Sequence, residues 1–506
     1  MTDLKTSVAP AKDSAEALPA RRGRWIDHWE PEDESFWNAR GARIAKRNLV
    51  LSIVTDHVGF CVWVVWTVVV INLADVGIKM SLSEQFVLTL APNLIGSVLR
   101  IPYTFAVPRF GGRAWTTMSA LVLLVPALLL AVVVPSGWLA HQPHSTQFWV
   151  LLACAATAGV GGANFASSMS NISFFFPERR KGYALGLNAA GGNVGVAVSQ
   201  LVVPLVIVVG VPAAALKLPE HQVHLAYAGW VWVPLIVATA VLAWRYMDSL
   251  TQARADRSSY AMALREPHTW VLSFLYIGTF GSFIGYSFAL PLVIKNSFPS
   301  FLHGHSFIAT YLAGLGFLGA LVGSLSRPAG GWLSDRFGGA PVTVAMFGGM
   351  AVFTGVAIAG VQAHDFALFL ASFLVIFLFT GMGNGSVYKL IPSVFAARAA
   401  AATGGRPDAV VVEQKRRAAA AIGIAGAFGA LGGVGVQVVL RQASLHVTAL
   451  ENAAKTPAAK AAVAAAHSAW SAPALWAFLV SYVVFGLATW AVYLRREPRA
   501  LLAAAA

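Results

Sequence analysis

The sequence predicts an all-α integral membrane protein with twelve transmembrane helices in two pseudo-symmetric six-helix halves. Three observations predict this fold: a low charge content, a dozen long apolar runs, and an internal repeat that divides the chain near its middle. Of the 506 residues, 57% are hydrophobic and only 11% are charged, whereas soluble proteins carry about 25% charged residues. The composition therefore argues against a soluble enzyme, a nucleic-acid-binding protein and a disordered chain.

Twelve apolar runs are long enough to cross a bilayer, which takes about 20 residues in a helix. They cover residues 48–72, 85–108, 115–135, 147–173, 182–210, 226–247, 268–293, 306–331, 342–361, 366–392, 416–440 and 472–494. A buried soluble core rarely contains so many runs separated by short polar turns. The predicted divisions are an N-terminal tail 1–47, a first half 48–247, a linker 248–267, a second half 268–494 and a C-terminal tail 495–506.

The net charge of +14 follows the predicted topology. If the N-terminus is cytoplasmic, 27 of the 36 Lys and Arg residues lie in inner segments and six in outer loops. The remaining three, Arg100, Arg327 and Lys389, fall within spans. The positive-inside rule then favours an even number of spans, with both termini cytoplasmic, in a bacterial-type cytoplasmic (inner) membrane. The tryptophan-rich stretch 25–29, together with Trp37, fits either a membrane-interface segment or a solvated tail.

The internal repeat places two arginines at equivalent positions. Residues 100–112 read Arg, eight residues, then Arg-Phe-Gly-Gly, and residues 327–339 repeat this pattern at an offset of 227. Further matches pair Ala184-Leu-Gly-Leu187 with Ala421-Ile-Gly-Ile424, and Asn164 with Asn384. Six spans plus six spans, related by an axis along the membrane normal, is a secondary-transporter layout with the substrate site between the halves.

Several motifs of this sequence resemble those of a known family. Gly330-Gly-Trp-Leu-Ser-Asp335-Arg336-Phe-Gly-Gly339 resembles the loop motif of the major facilitator superfamily, which implies that Asp335 and Arg336 act as a conformational latch. Pro108 stands where the first half should have the aspartate. Residues 161–177 and 186–195 resemble the nitrate signature of the nitrate/nitrite porter family (NarK type), and 381–388 and 421–433 resemble its second-half counterpart. The chain departs from shorter members in the N-terminal tail, the 396–415 loop and the Ala-rich 442–471 loop.

Arg100 and Arg327 are the leading substrate-binding candidates. Ionisable groups within spans are costly and therefore functional candidates by default, and repeat symmetry should place these two facing each other. Two planar guanidiniums fit a small planar oxyanion such as nitrate or nitrite, a role that the resemblance also assigns to them. The plainer alternatives are bonds to helix-end carbonyls or snorkelling to the surface, which is also what we expect of Lys389.

Other candidates surround this predicted site. Asn193, with Asn164 and Asn188 as weaker candidates, would add neutral donors to the site. The alternative is that these asparagines only form hydrogen bonds that hold neighbouring helices together. Tyr276 and Phe280 share a face of span 7 at i and i+4, and Phe165 follows Asn164; the resemblance places these three around the substrate, although plain packing explains such stripes as well. Glycines in spans 4, 5, 10 and 11 allow close helix approach.

Asp56 and His57 are the proton-coupling candidates, because either can titrate in a suitable environment. They lie about 8 residues into span 1, and since they are adjacent at most one should face the site directly. An Asp–Arg pair would let the empty carrier close and so permit nitrate/proton symport, whereas a site without a protonatable neighbour favours nitrate/nitrite antiport. The alternative is a structural role as a partner for a helix end or for the arginines.

We therefore expect a monomeric transporter of nitrate and nitrite that works by alternating access in the lipid bilayer, with protons as a candidate co-substrate and no nucleic-acid partner. The competing hypotheses are a porter for another small anion such as a carboxylate, and a membrane sensor, which would need a soluble signalling domain. An enzyme is the weakest option, since no nucleophile–base set, metal spacing or phosphate loop is present. Cys61 and Cys154 fall in apolar runs, so we expect no disulfide, metal site or cofactor.

Overall fold

The computed structural model describes residues 24–212, 223–253, 257–403 and 408–496. Almost all of this chain is helical, and eleven helices in the described ranges are long and apolar enough to cross a membrane. These spans, numbered by their order in the bundle, are span 1 Glu34–Asn72, span 2 Leu82–Thr104, span 3 Gly112–Val132, span 4 His144–Phe175, span 5 Arg179–Ile207, span 6 Tyr227–Tyr246, span 7 Pro267–Ser297, span 9 Gly339–Gln362, span 10 Phe366–Ala397, span 11 Ala420–Leu450 and span 12 Ala472–Arg495. They confirm the predicted fold class.

The eighth span is the helix Phe317–Phe337, which is less apolar than the others. It carries Arg327, Asp335 and Arg336 as well as several serines and glycines, and these lower its hydropathy. The sequence predicted one run over 306–331, but the structure divides it. A short helix Ser306–Tyr311 comes first, and a tight turn at Ala313–Leu315, where Gly314 has a φ of 66°, separates it from span 8.

Several spans are composite. Span 1 contains Glu34–Phe36, the π-helical Trp37–Gly41, Ala42–Val64, Trp66–Val69 and the 3₁₀ turn Val70–Asn72. Span 3 contains Gly112–Val122 and Leu124–Val132, span 4 His144–Thr157 and Gly159–Phe175, and span 6 Tyr227–Trp230 and Trp232–Tyr246. Span 7 contains Pro267–Tyr276, the π-helical Ile277–Gly281 and Ser282–Ser297. Such π segments are frequent at functional sites.

The two halves meet along equivalent pairs of helices. Span 2 packs against span 11, and span 5 against span 8. Span 7 contacts span 11 along its whole length, including the π-helical segment. These interfaces surround the central axis, where the repeat predicted the two arginines to lie.

Short elements complete the description outside the spans. They are the 3₁₀ turn Ala74–Val76, the helices Ala106–Phe110, Gly137–Ala140, Arg257–Arg265, Pro299–Gly304 and Pro457–Ala469, and a parallel pair of two-residue strands, β1 Trp25–Ile26 and β2 Ser249–Leu250. We call Arg257–Arg265 the linker helix, because it lies between the two halves in the sequence. The end of the bundle that carries β1, β2 and the linker helix is called the basic end.

The segment that follows Arg24 is packed against the bundle and is not a solvated tail. Trp29 and Trp37 are 3% and 1% exposed and pack with Phe175 and Val107 at the basic end of the first half. Strand β1 pairs with β2 just after span 6. The solvated-tail interpretation is therefore wrong for this stretch, because Trp29 and Trp37 are buried against the protein.

Asp248, beside β2, fastens this segment to the bundle. It is buried and accepts hydrogen bonds from Nη2 of Arg24 at 2.9 Å, Nη2 of Arg47 at 2.5 Å and Nδ2 of Asn48 at 2.9 Å. Its backbone N–H donates to Oδ1 of Asn48, also at 2.9 Å. One carboxylate thus ties the start of the described chain, span 1 and the end of span 6 together.

The two inserts in the second half are helical rather than loops in their described parts. The helix of span 10 runs on to Thr403, and that of span 11 covers Asp408–Ala453. The separate helix Pro457–Ala469 covers the later part of the Ala-rich stretch. The loop assignment was wrong because alanine is the strongest helix former, so these segments extend helices that were already present.

Candidate functional site

Arg100 lies at the centre of the bundle, where spans 2, 4, 7 and 11 converge. Arg100 is only 1% exposed. Its Nε donates to the carbonyl of Gly162 at 3.2 Å, and its Nη1 donates to the carbonyl of Gly426, in the opposite half, at 2.9 Å. Helix carbonyls are accessible to a side chain there because glycine leaves the backbone uncovered. These two bonds agree in part with the alternative that Arg100 binds helix carbonyls. Its Nη2, however, has no hydrogen-bond partner among the described residues.

Arg327 is the repeat equivalent and is also buried, at 4% exposure. Its Nη2 donates to the hydroxyl of Tyr276 at 3.1 Å, and its Cζ lies 4.9 Å from the centre of the Tyr388 ring. Both partners belong to the second half. The two arginines act electrostatically on each other, as expected of groups that share one site.

Each guanidinium keeps a donor without a partner. Nη2 of Arg100 and Nη1 of Arg327 are buried and have no hydrogen-bond acceptor among the described residues. Neither guanidinium forms an ion pair in the described part of the chain. An unsatisfied buried donor costs about 1–3 kcal/mol, and more when it is charged. The arrangement is therefore suited to an anion that accepts from both groups.

A stack of aromatic rings connects the two arginines. Phe165 and Phe280 are nearly parallel at 16° with centroids 6.4 Å apart, and Phe280 stacks on Tyr276 at 5.1 Å. Cζ of Arg100 lies 4.9 Å from the Phe165 ring and 5.3 Å from the Phe280 ring. All three predicted aromatics thus lie together, and they form apolar walls around the two cations.

Two aromatic residues that the sequence did not single out also belong to this site. Trp63 of span 1 lies 5.6 Å from Cζ of Arg100, and Tyr388 of span 10 contacts Tyr276 at 4.9 Å as well as Arg327. Tyr388 ends the second-half motif 381–388, so that motif was the available signal. Trp63 is one of several tryptophans in span 1, and no local pattern distinguished it.

Asp56 is held by a set of neutral donors rather than by an arginine. Nδ2 of Asn164 donates to Oδ1 at 2.9 Å, Nδ2 of Asn188 to Oδ2 at 3.3 Å, and the Ser168 hydroxyl donates to Oδ2. Arg100 is close enough to act on the carboxyl group electrostatically, although no ion pair forms between them. Asn164 also accepts from Ser119 and Ser167, so its carboxamide is fully engaged.

The remaining polar candidates form no hydrogen bond with the arginines in the described part of the chain. His57 is partly buried, and its Nδ1 lies 3.1 Å from the carbonyl of Gly191 on span 5. Asn193 is 1% exposed, and its carboxamide oxygen has no partner within the described ranges. Neither side chain forms a hydrogen bond with Arg100 or Arg327 in the described structure.

The two cysteines are free and buried, and no group of three metal-ligating side chains occurs among the described residues.

Two glycines permit the close packing around the site. A Cβ built on Gly162 would lie 2.3 Å from the Trp63 ring, and one on Gly429 would lie 2.4 Å from the Tyr276 ring. Both distances are far below van der Waals contact. The glycines of spans 4 and 11 therefore allow the aromatic walls to approach these helices.

Contacts between the two halves close the bundle over this site at the end opposite the basic end. Nε2 of Gln200 donates to the Ser287 carbonyl at 2.7 Å, and Lys295 donates to the Ile71 carbonyl. Trp63 and Phe288 pack there at 5.1 Å. Each of these contacts joins the first half to the second. Since both arginines are buried, the structure represents an occluded arrangement.

Asp335 and Arg336 lie at the basic end of span 8. Nζ of Lys389, on span 10, lies 2.5 Å from Oδ1 of Asp335, and both side chains are about half exposed, at 50% and 57%. Arg336 stacks its guanidinium near the adjacent Phe337 ring at 5.6 Å. The ion pair links two helix ends within the second half, and Lys389 reaches the basic end as its predicted snorkelling requires.

Comparison with known proteins identifies the family. A family model described as Major Facilitator Superfamily matches residues 57–436. The nitrate/nitrite transporter NarU of Escherichia coli (strain K12) is 36% identical over 484 residues, covering 93% of this chain and 96% of the relative.

The chain belongs to the nitrate/nitrite porter family of the Major Facilitator Superfamily.

Other members of this family and superfamily agree with that assignment. The probable nitrate/nitrite antiporter NarK2 of Thermus thermophilus is 37% identical over 396 residues, covering 76% of this chain and 86% of the relative. Among solved structures, a D-xylose–proton symporter has a TM-score of 0.61 at 15% identity, covering 88% of this chain and 97% of the other. A bacterial homolog of the human lysosomal transporter Spinster gives 0.59 at 16% identity, with the same coverages. The structures show the superfamily fold.

Proposed function

We propose that this chain carries nitrate and nitrite across a membrane by alternating access, with the anion bound between Arg100 and Arg327. The observation that carries the proposal is the pair of buried guanidiniums, each with a free donor and neither with a carboxylate partner among the residues described. A buried charge requires a counter-charge, since an unpaired one costs several kcal/mol. A monovalent anion supplies that charge and accepts from both donors, which favours transport over catalysis.

The chemistry of the site favours a small, flat anion. A guanidinium presents its N–H donors in one plane, which matches oxygens that also lie in one plane. The stacked rings of Phe165, Phe280 and Tyr276 present flat apolar faces beside the two cations. The relatives named as nitrate/nitrite transporters, at 36–37% identity, support nitrate and nitrite over other small anions.

The asparagines take different parts in this proposal. Asn193 remains a candidate neutral donor, since it is buried and the oxygen of its carboxamide is unpaired within the described ranges. Asn164 acts indirectly instead, because it holds Asp56 beside Arg100. Asn188 shares that task through its bond to the other carboxylate oxygen.

The substrate assignment is tested by uptake into proteoliposomes that contain the purified full chain. We expect saturable uptake of labelled nitrate that excess nitrite abolishes, while formate and acetate at the same concentration leave it unchanged. Saturable uptake of formate or acetate, with no competition by nitrate, would replace this function with the carboxylate alternative.

We propose Asp56 rather than His57 as the group that couples transport to protons. Asp56 lies within electrostatic range of Arg100, whereas the His57 ring is engaged by the Gly191 carbonyl of span 5. A proton on Asp56 would move with the anion, and a carboxylate on Asp56 would partly balance Arg100 in the empty carrier. This combination permits net nitrate/proton symport, although one relative is named as a probable antiporter.

Flux measurements separate the two coupling modes. Symport predicts inward nitrate flux into vesicles without internal nitrite, together with acidification of the lumen reported by a trapped pH dye. Flux that requires nitrite inside the vesicles, with no change of lumenal pH, would establish antiport and remove the proton role of Asp56.

We further propose that the basic end faces the cytoplasm of a bacterial-type inner membrane, with both termini on that side. The distribution of Lys and Arg supports this orientation. The site is complete within one chain, which supports a monomer. An impermeant thiol reagent added to intact cells should label a cysteine at the exposed Trp138, at the opposite end, and spare one at Phe110; the reverse pattern would invert the topology.

A further inference from the structure

The linker helix contributes one side chain to the space directly beneath the arginine site. Its Tyr260 ring contacts Phe105, just after span 2, at 5.2 Å, and its hydroxyl interacts with the Thr104 side chain. A Cβ built on Gly423 of span 11 would lie 3.1 Å from the same hydroxyl. Tyr260 therefore occupies the gap between the first half and the second half at the basic end.

The position of this ring relative to Arg100 is fixed by both helices. Thr104 is one turn below Arg100 in span 2, and its hydroxyl donates to the Arg100 carbonyl at 2.8 Å. Gly423 is about one turn below Gly426 in span 11, whose carbonyl accepts from Arg100. Tyr260 thus lies one helical turn from the Arg100–Gly426 contact, towards the proposed cytoplasmic side.

The linker helix is attached firmly to only one half. Its Ala263 is fully buried against Ala420 and Ile424 of span 11, and Met262 receives a hydrogen bond from Arg417 at 3.2 Å. Its contact with span 2 and the residue after it is made by Tyr260. Burial in this contact raises the pKa of Tyr260 to about 12, so the hydroxyl stays neutral at physiological pH.

We propose that Tyr260 is the cytoplasmic gate of the carrier: it moves with span 11 and closes the arginine site by inserting against Phe105 and Thr104 of the first half. For the site to open towards the basic end, the facing parts of spans 2 and 11 must separate, and the Tyr260 contact breaks together with the Arg100–Gly426 bond. The inference rests on the alternating access of the proposed function, but it concerns the conformational equilibrium and not the identity of the anion.

The gate is tested by distance measurement between spin labels without any substrate. Phe110 and Phe337 stand at equivalent repeat positions at the basic ends of the two halves and are 47% and 57% exposed, so cysteines there can be labelled while Cys61 and Cys154 remain buried. With the gate intact we expect mainly the short distance. Tyr260→Ala should raise the ratio of long to short distances at least about fivefold, because the closed state loses its cross-half contact.

Matched variants keep the result decisive. Tyr246→Ala removes an exposed tyrosine from the basic end of span 6 and should leave the distances as in the parent. Phe105→Leu weakens the same contact from the first half without altering the linker helix, and Tyr260→Phe removes only the hydroxyl group; both should shift the distances in the same direction by less. Parental distances in Tyr260→Ala or, if that chain does not fold, in both milder variants would overturn the gate, whatever anion is transported.

Discussion

The two arginines differ in their surroundings although the sequence presents them as equivalents. Arg100 bonds to carbonyls of both halves, while Arg327 bonds to Tyr276 within its own half. The repeat therefore predicted that both residues enter the site, but it could not give their partners. Those partners depend on which glycines expose a carbonyl and on where one tyrosine hydroxyl lies, and neither follows the repeat.

Tyr276→Phe tests the partner of Arg327. The substitution removes the hydroxyl that accepts from Nη2 and leaves the ring stack with Phe280 in place. Loss of a hydrogen bond to a charged group costs about 1.5 kcal/mol, so we expect roughly a tenfold rise in KM for nitrate. Initial rates over a range of nitrate concentrations measure it, and Tyr286→Phe, whose hydroxyl bonds to Tyr482 instead, serves as control. An unchanged KM would show that Tyr276 does not help to hold Arg327 at the site.

Asp56→Asn tests the coupling residue. The amide keeps the shape of the carboxyl group but carries neither the charge nor a titrating proton. We expect proton-coupled nitrate uptake to fall at least about tenfold, while nitrate/nitrite exchange persists. Lumenal pH and labelled nitrate are recorded together, and His57→Gln is the control with retained coupling. Undiminished acidification in the Asp56 variant would assign the proton to another group.

At the scale of single helices, the glycines of span 11 have a packing role at the site. Gly429 faces the Tyr276 ring, whereas a Cβ added to Gly435, less than two turns further along the same helix, would meet nothing within 4 Å. This difference is not visible in the sequence, where both stand in the same Gly-rich run. It arises from which face of span 11 meets span 7.

Gly429→Ala should therefore reduce nitrate uptake at least about tenfold, because overpacking against a ring fixed by a stack and a hydrogen bond typically costs about 1–3 kcal/mol. Gly435→Ala introduces the same methyl group on the same helix and should leave uptake close to that of the parent. Equal activities of the two variants would contradict the close approach of span 11 to Tyr276.

The ion pair between spans 8 and 10 is a second feature at this scale. Asp335 and Lys389 are both about half exposed, and exposed ion pairs contribute only about 0.2–1 kcal/mol. Asp335→Asn should therefore slow turnover by at most about fivefold and leave the KM for nitrate unchanged. The double variant with Lys389→Gln should be no slower than the single one. A change in KM alone would remove the latch function, because a latch affects the conformational step and not the binding of the anion.

Sequence patterns predicted most of the membrane spans. They failed where local helix propensity or tertiary contacts determine the conformation of a segment. The hydrophobic runs gave the spans, since lipid imposes length and composition on them. The π-helical segment beside Tyr276 and the turn before span 8 have no such signature. The alanine-rich inserts were misassigned as loops, and the tryptophans of the N-terminal segment pack against residues distant in the sequence, such as Phe175.

At the scale of the whole molecule, the two halves enclose the site from both ends. One closure is made by Gln200, Lys295 and Phe288 at one end, and the other by the linker helix and the facing parts of spans 2 and 11 at the basic end. Alternating access requires that these closures open in turn. The sequence predicted the twofold layout because the repeat is in the chain, but the closures are asymmetric: Gln200, Lys295 and Phe288 make one of them, and Tyr260 of the linker helix contributes to the other.

The central claim is that the planar forks of Arg100 and Arg327 hold the anion. Replacement of each by lysine keeps the charge and removes the fork. Nitrate uptake into proteoliposomes by Arg100→Lys and by Arg327→Lys measures this most directly, with Arg109→Lys, at the basic end of span 2, as control. The account predicts a loss of about a hundredfold or more for both site variants, since about two charge-assisted bonds are lost, with the control unaffected. Near-parental uptake by both site variants would contradict it.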